Sequence, residues 1–391
     1  AAYARAMEIG RDTGDLFAQA QAARAIAIAY EGLGQTDQRR RFLGLSLELI
    51  RKTRAVDERH FAEIHVAAYL VEVGDHEGAF EILDRIAETD WGRGNEWTQN
   101  TLATARTLAG DAAGALEPAT RAIELSRRSD DVERLFHGLQ VRAEAYMALA
   151  RHEEALVDLR AALDLVERLR QRLVPHDYMK RGFMDRFTVV FGLAIEALEA
   201  LGRHAEAIDV TEQGRARAFG DLLTARRVQR RPEPLPVAPG LASTGASGGS
   251  ALAFEADDDL PSDALAPPAT AADLARVAAA SGVAILAYWV EGRTTWTWVV
   301  SPRGDITAAR IPVEHEHLRD LVRGVWRAQP RASPSSAPGD AAGAGLSRSA
   351  PRLLYQLLIE PVRGALERTG AGRIVVIPHG ALSALSFAAL Q

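Results

Sequence analysis

Cysteine is absent from the 391 residues. Its absence excludes disulfides, thiolate zinc centres and a cysteine nucleophile within this chain, and fits a reducing, cytoplasmic compartment. Lysine is nearly missing: Lys52 and Lys180 stand against abundant arginine, a bias we read as genomic base composition. The longest apolar run, around Val283–Val290, falls far short of the ~20 residues that span a bilayer. The net charge of −6 is small for this length and argues against bulk nucleic-acid binding. No glycine-rich phosphate loop or dinucleotide fingerprint occurs, so no cofactor is expected. The opening Ala1-Ala2-Tyr3-Ala4-Arg5-Ala6 lacks an initiator Met and a leader pattern. It reads as the middle of a helix, so the chain is expected to be a piece of a longer one.

Proline and glycine are sparse over the first 225 residues, and apolar residues recur there at helical spacing. A Gly or Ala suited to a tight turn stands at Gly34, Gly74, Gly110, Ala150 and Gly202, at intervals of 40, 36, 40 and 52 residues. Seven residues before each turn stand Ala27, Ala67, Ala103, Ala143 and Ile195. Five after stand Arg39, Ala79, Ala115, Ala155 and Ala207. Small side chains on both sides of a turn let two helices approach to about 8–10 Å, and glycine accepts the left-handed conformation that ends the first. Tyr30, Leu70, Tyr146 and Leu198, four before the turn, supply larger packing groups; Arg106 breaks that rule. Arg39 and Pro118 also depart from the pattern. A generic helical bundle is the alternative to repeated hairpins.

Composition then shifts. Residues 232–268 hold seven of the 17 prolines and the run Asp257-Asp258-Asp259, too little apolar surface to offset ordering. We draw a linker over 226–275 and a second disordered loop over about 330–349. Strands are expected at Ala284–Val290, Thr294–Ser301 and Ile306–Ile311, with turns between them. Helices are expected at Glu314–Ala328 and Pro351–Arg368. Arg373–Ile377 reads as a short buried strand.

Several local patterns have bland readings that outweigh the functional ones. Gly245-Ala246-Ser247-Gly248-Gly249 fits G-x-S-x-G but lies in the linker, without the strand and helix a nucleophile elbow needs. His315 and His317 are two apart, whereas a helical zinc pair needs a spacing of four; no metal site is expected. His379, after the last strand, is where α/β sites often lie, yet a turn residue is the simpler reading. Arg226, Arg227, Arg230 and Arg231 read as a solvated helix end.

The hairpins and three later segments together carry a resemblance. The hairpin pattern, best in Gly74-Asp75-His76-Glu77-Gly78-Ala79 and Ala150-Arg151-His152-Glu153-Glu154-Ala155, resembles tetratricopeptide repeats. Residues 207–223, with Glu212, Arg215, Ala216, Arg217, Leu222 and Leu223, resemble the junction helix of CHAT-domain proteins, the caspase-like family associated with such repeats; Phe219 replaces a common Leu. Tyr288, Trp296 and Trp298 look like that domain's opening hairpin. Leu354-Tyr355-Gln356-Leu357-Leu358-Ile359-Glu360-Pro361 and residues 374–390 resemble its later signatures, with Ser386 in place of a Pro and His379 where Asp is common.

The expected fold is therefore an all-α tetratricopeptide-like superhelix over 1–225, followed over 276–391 by an incomplete, three-layer α/β caspase-like domain. The resemblance implies a repeat scaffold or sensor joined to part of a CHAT-type cysteine peptidase. Its catalytic His and Cys would lie downstream, so no catalytic residue is assigned here. The alternative is a non-catalytic interaction scaffold. The expected partner is a protein or peptide, bound on a concave face at positions 13, 10 and 6 before the turns: Trp97, Asn100 and Thr104, then His137, Gln140 and Glu144. No nucleic acid and no membrane are expected as partners.

Overall fold

A computed structural model describes residues 2–53, 56–172, 177–215, 268–292, 294–328 and 341–390. It divides into two compact units, Ala1–Arg172 and Leu173–Gln391.

The first unit is helical. Its elements are α1 (Ala2–Asp12), α2 (Leu16–Gly32), α3 (Thr36–Arg51), α4 (Val56–Glu72), α5 (His76–Ala87), α6 (Asp90–Arg93), α7 (Glu96–Leu108), α8 (Ala112–Ser129), α9 (Val132–Ala148) and α10 (His152–Arg172). Gly34, Gly74, Gly110 and Ala150 all have positive φ, as does Gly14 between α1 and α2, a turn that the repeat spacing does not reveal. At each, the next residue's N–H reaches back to a carbonyl: Asp75 to Leu70 at 2.8 Å, Asp111 to Arg106 at 2.8 Å, Arg151 to Tyr146 at 2.9 Å. That six-to-one bond closes the last turn of the first helix. Asp75 and Asp111 then cap the following helix, accepting from the N–H of Gly78 and Gly114.

The small residues seven before the turns, Ala27, Ala67, Ala103 and Ala143, are fully buried, and so are Ala79, Ala115 and Ala155 five after. Large side chains at these points would push the helices of a hairpin apart. Arg39 fits in its alanine position because its guanidinium lies over the Tyr69 ring. Arg106 bonds to the Gly114 carbonyl across its own hairpin and reaches out to Asp84 on α5. Helix α8 runs through the buried Pro118. Hairpins pack in sequence, and the first helices also pack on one another, α4 on α7 and α7 on α9; no pair of second helices packs comparably among the described residues. First helices drawn closer than second ones put α4, α7 and α9 on the inner side of the stack.

The second unit begins with α11 (Asp177–Ala200) and a helix over residues 204–215, here α12. They repeat the hairpin geometry: Gly202 has φ 70°, and Ile195 and Ala207 are fully buried. The repeat spacing groups this pair with the array, but its compact partners are the sheet. Trp298 donates through Nε1 to Glu199 at 2.6 Å, and Arg215 donates to the Tyr288 carbonyl. Then follow α13 (Ala271–Ser281), β1 (Ala284–Glu291), β2 (Thr294–Val300), β3 (Ile306–Ile311), α14 (His315–Ala328), α15 (Ala341–Leu358), α16 (Arg363–Thr369) and β4 (Ile374–Ile377). The sheet order is β3-β2-β1-β4, antiparallel except for the parallel pair β1–β4.

Several expectations change, including the single helix drawn over Pro351–Arg368, which divides into α15 and α16. The linker drawn to residue 275 gives way at Ala271 to α13, which starts at a capping box of Thr270 and Asp273. The second loop, drawn to about 349, is helical from Ala341. Strand β4 is not buried: Ile374 and Val375 are 49% and 45% exposed, because β4 ends the sheet and has one neighbour. Most of the 226–275 linker, the serine of 245–249 and the arginine cluster of 226–231 lie outside the described residues.

Strands β1 and β2 are buried on both faces. Leu286, Tyr288, Val290 and Val299 join a core with α14 and α15, including Leu318, Val322 and Leu354. The opposite face, with Trp289 and Trp298, meets α11 and α12. Layers of helix, sheet and helix result.

Candidate functional site

The inner helices present aligned columns. Thirteen residues before the turns stand Gln21, Phe61, Trp97 and His137, all at least partly accessible. Trp97 meets Phe61 at 5.9 Å between centroids and the edge of His65 at 4.4 Å. Phe61 in turn meets Trp91 at 5.1 Å, and Trp91 meets His60 at 4.9 Å. The rings form a continuous run across α4, α6 and α7. Trp91 is held by the short helix α6, whose start Thr89 caps through the Gly92 N–H. Gly92 lies so close to Ile86 that a Cβ would stand 2.0 Å from its carbonyl oxygen.

Of the residues expected on this face, Trp97, Thr104, His137, Gln140 and Glu144 are accessible or half-buried. Asn100 is not: it is 1% exposed. The position ten before the turn faces the neighbouring first helix in this part of the array, as the fully buried Ile64 also shows. Gly138 makes room there, since a Cβ on it would come 3.3 Å from Asn100 Oδ1. Thr104 donates its hydroxyl to the Asn100 carbonyl at 2.9 Å. Gln140 Nε2 donates to Glu144 at 2.9 Å.

Crowding sets the charge of this face. Burial pushes His65 down to about 4, helped by Arg24 and Arg39. His137 reaches solvent, yet its dense surroundings also lower its pKa, against a pull from Glu133. The same cause raises Glu144, against the Gln140 hydrogen bond. The rings are therefore neutral near pH 7, and a desolvated carboxylate stands beyond them. Of the run formed by His60, Phe61, His65, Trp91 and Trp97, sequence reasoning singled out only Trp97, alongside His137 in its column. Phe61 shares its column and was readable from the same spacing. Trp91 and His65 lie off the columns chosen.

In the second unit, polar groups gather at the carboxyl ends of the parallel strands β1 and β4. His379 Nδ1 accepts the Val290 N–H at 3.0 Å. Glu291 accepts from Trp289 Nε1 at 2.9 Å, and burial pushes its pKa up to about 7. Glu212 pairs with Arg215 within α12, and Arg215 of the junction pattern ties that helix to β1. His315 is half-buried and His317 exposed; among the described residues no three metal-binding side chains come together.

No helix among the described residues is long and apolar enough to cross a membrane. No family model matches the chain, and no curated protein does. Solved structures similar to it include BtubC (BKLC) from P. vanneervenii, at 16% identity and a TM-score of 0.46, covering 62% of this chain and 96% of that one. A putative kinesin light chain with nearly identical TPR-like repeats, from Podosopora anserina, is similar at 19% identity and a TM-score of 0.39, covering 54% of this chain and 97% of that one. A single-residue variant of the same light chain is similar at 20% identity and a TM-score of 0.40, covering 54% and 96%.

Proposed function

We propose that the hairpin array is a tetratricopeptide-type scaffold that binds a protein or peptide partner on the inner face of α4, α7 and α9. The observation that carries this is the accessible column of rings and polar groups on helices whose opposite sides are fully used in packing. A face built only for packing would not keep Phe61, Trp97 and His137 partly open. Nucleic acid has no part in this reading, and its setting is the cytoplasm. Pull-down of a native partner tests it: Trp97→Ala with Gln140→Ala should lose the partner, and undiminished capture would end the proposal.

The α/β unit is, in the same proposal, part of a caspase-like CHAT domain and the array its sensor. The Arg215 contact to β1, with Glu212 paired to Arg215, and the mixed sheet with helices on both faces support it. Such an enzyme uses a His to deprotonate a Cys, whose thiolate attacks a peptide carbonyl. These residues contain no cysteine, and His379 is not assigned that role. Comparing this chain with the full product of its gene, using a peptide library and a thiol-reactive probe, tests the idea. Turnover confined to the longer product and abolished by mutating its cysteine supports the peptidase. No turnover by either leaves the alternative, a non-catalytic scaffold.

A further inference from the structure

The chemistry of the inner face narrows the partner. A carboxylate-rich ligand finds little to bind on α7 and α9. The arginines of α7 and α9 are engaged within the protein: Arg106 with Asp84, Arg134 with Glu96 and Asp131, Arg142 with Asp158. Neither helix carries a lysine, and His65 is held neutral. What remains open on α7 and α9 is aromatic, polar and acidic. Trp97 and Phe61 present ring edges and faces in the tilted arrangement that a further ring can extend. Glu144, half-buried and bonded by Gln140, has its charged form disfavoured by desolvation. A cation brought beside it restores what burial removed.

Their spacing is fixed by the array. Trp97 stands thirteen residues before Gly110, and Glu144 six before Ala150 on the next first helix. Seven residues of rise give about 10 Å along the axis, and neighbouring helices lie about 10 Å apart. The diagonal is about 14 Å, or roughly four residues of extended chain.

We propose that this face takes an extended peptide segment carrying an aromatic side chain over Trp97 and Phe61 and, about four residues away, a lysine or arginine beside Glu144. The inference rests on the partner-binding reading above and names its ligand class.

The test uses the whole 391-residue chain and fluorescein-labelled peptides built on Tyr-Ser-Gly-Ser-Arg, read by anisotropy. Replacing Arg by Glu, or Tyr by Ser, should each weaken binding about tenfold or more, the loss of one charge-assisted or aromatic contact. Moving Arg next to Tyr should do the same. Glu144→Lys should reverse the preference, favouring the Glu peptide over the Arg peptide, while leaving the dependence on Tyr intact. Trp97→Ala should remove the dependence on Tyr, with helical circular dichroism unchanged. Equal binding of Arg and Glu peptides, or no reversal in Glu144→Lys, overturns the inference. An unbiased displayed library separates the two levels. Selected peptides of another chemistry that still need Trp97 or Gln140 sink the inference and keep the array as a peptide binder. Selection of none that depend on either residue sinks both.

Discussion

The imidazole of His379 lies flat on the indole of Trp289, centroids 4.1 Å apart and planes 17° from parallel. Because its Nδ1 accepts the Val290 N–H, the proton of the neutral ring sits on Nε2. Burial, with Arg215 nearby, pushes its pKa down to about 4. The unfolded chain thus binds more protons between pH 6.5 and 4, so this contribution to stability is lost as pH falls through that window. Imidazole nitrogen shifts should show the Nε2–H tautomer down to about pH 5. His379→Gln should flatten the fall in unfolding midpoint between pH 6.5 and 4.

Glu291 has the opposite dependence. Its folded pKa of about 7 lies above the ordinary 4.5 because burial disfavours the charge. The folded state holds the proton more tightly, so stability falls as pH rises from 4.5 to 7 and then levels. Glu291→Gln keeps an acceptor for the Trp289 indole and removes the charge. It should raise stability at pH 8 by up to about 3 kcal/mol and leave it unchanged at pH 4. Urea unfolding at the two pH values checks both.

Ala150 holds the left-handed turn between α9 and α10 with φ 56°, where Gly34, Gly74 and Gly110 serve the equivalent turns. A Cβ there costs about 1 kcal/mol. Ala150→Gly should therefore stabilise the array by up to about 1 kcal/mol, the reverse of a glycine placed inside a helix. Thermal unfolding followed by circular dichroism measures it.

Arg142 makes two 2.7 Å bonds to Asp158 and a third to the Thr120 hydroxyl, joining α9, α10 and α8. Asp158 is 2% exposed. Removing one partner leaves a part-buried charge without its counterion, which costs about 3–5 kcal/mol. Asp158→Ala should lose that much, and Asp158→Ala with Arg142→Met should recover a large share. Denaturant midpoints of the single and double variants decide it.

Without a cysteine, the chain itself should neither label with a thiol-reactive probe nor cleave peptides through a thiolate. Turnover by these 391 residues would show that another nucleophile acts.

The sequence by itself determined the hairpins and the four strands. Turn residues and small residues at fixed offsets act over a few neighbours, so Gly34, Gly74, Gly110, Ala150 and Gly202 marked their turns, and an apolar run, an alternating one and the turns between them marked β1, β2 and β3. Helix α13 escaped because its alanine-rich stretch follows a proline-rich one and gives little periodic contrast. Tertiary structure alone decided which residues stay open. Asn100 and Gln140 hold the same repeat position, yet the first is sealed by the neighbouring helix at Gly138 and the second is not. It also decided that β4 ends the sheet, that Trp91 and His65 complete the run of rings, and that α11 and α12 pack on the strands. Each of these depends on contacts between residues far apart in the chain, and spacing along one helix carries no information about what lies across from it.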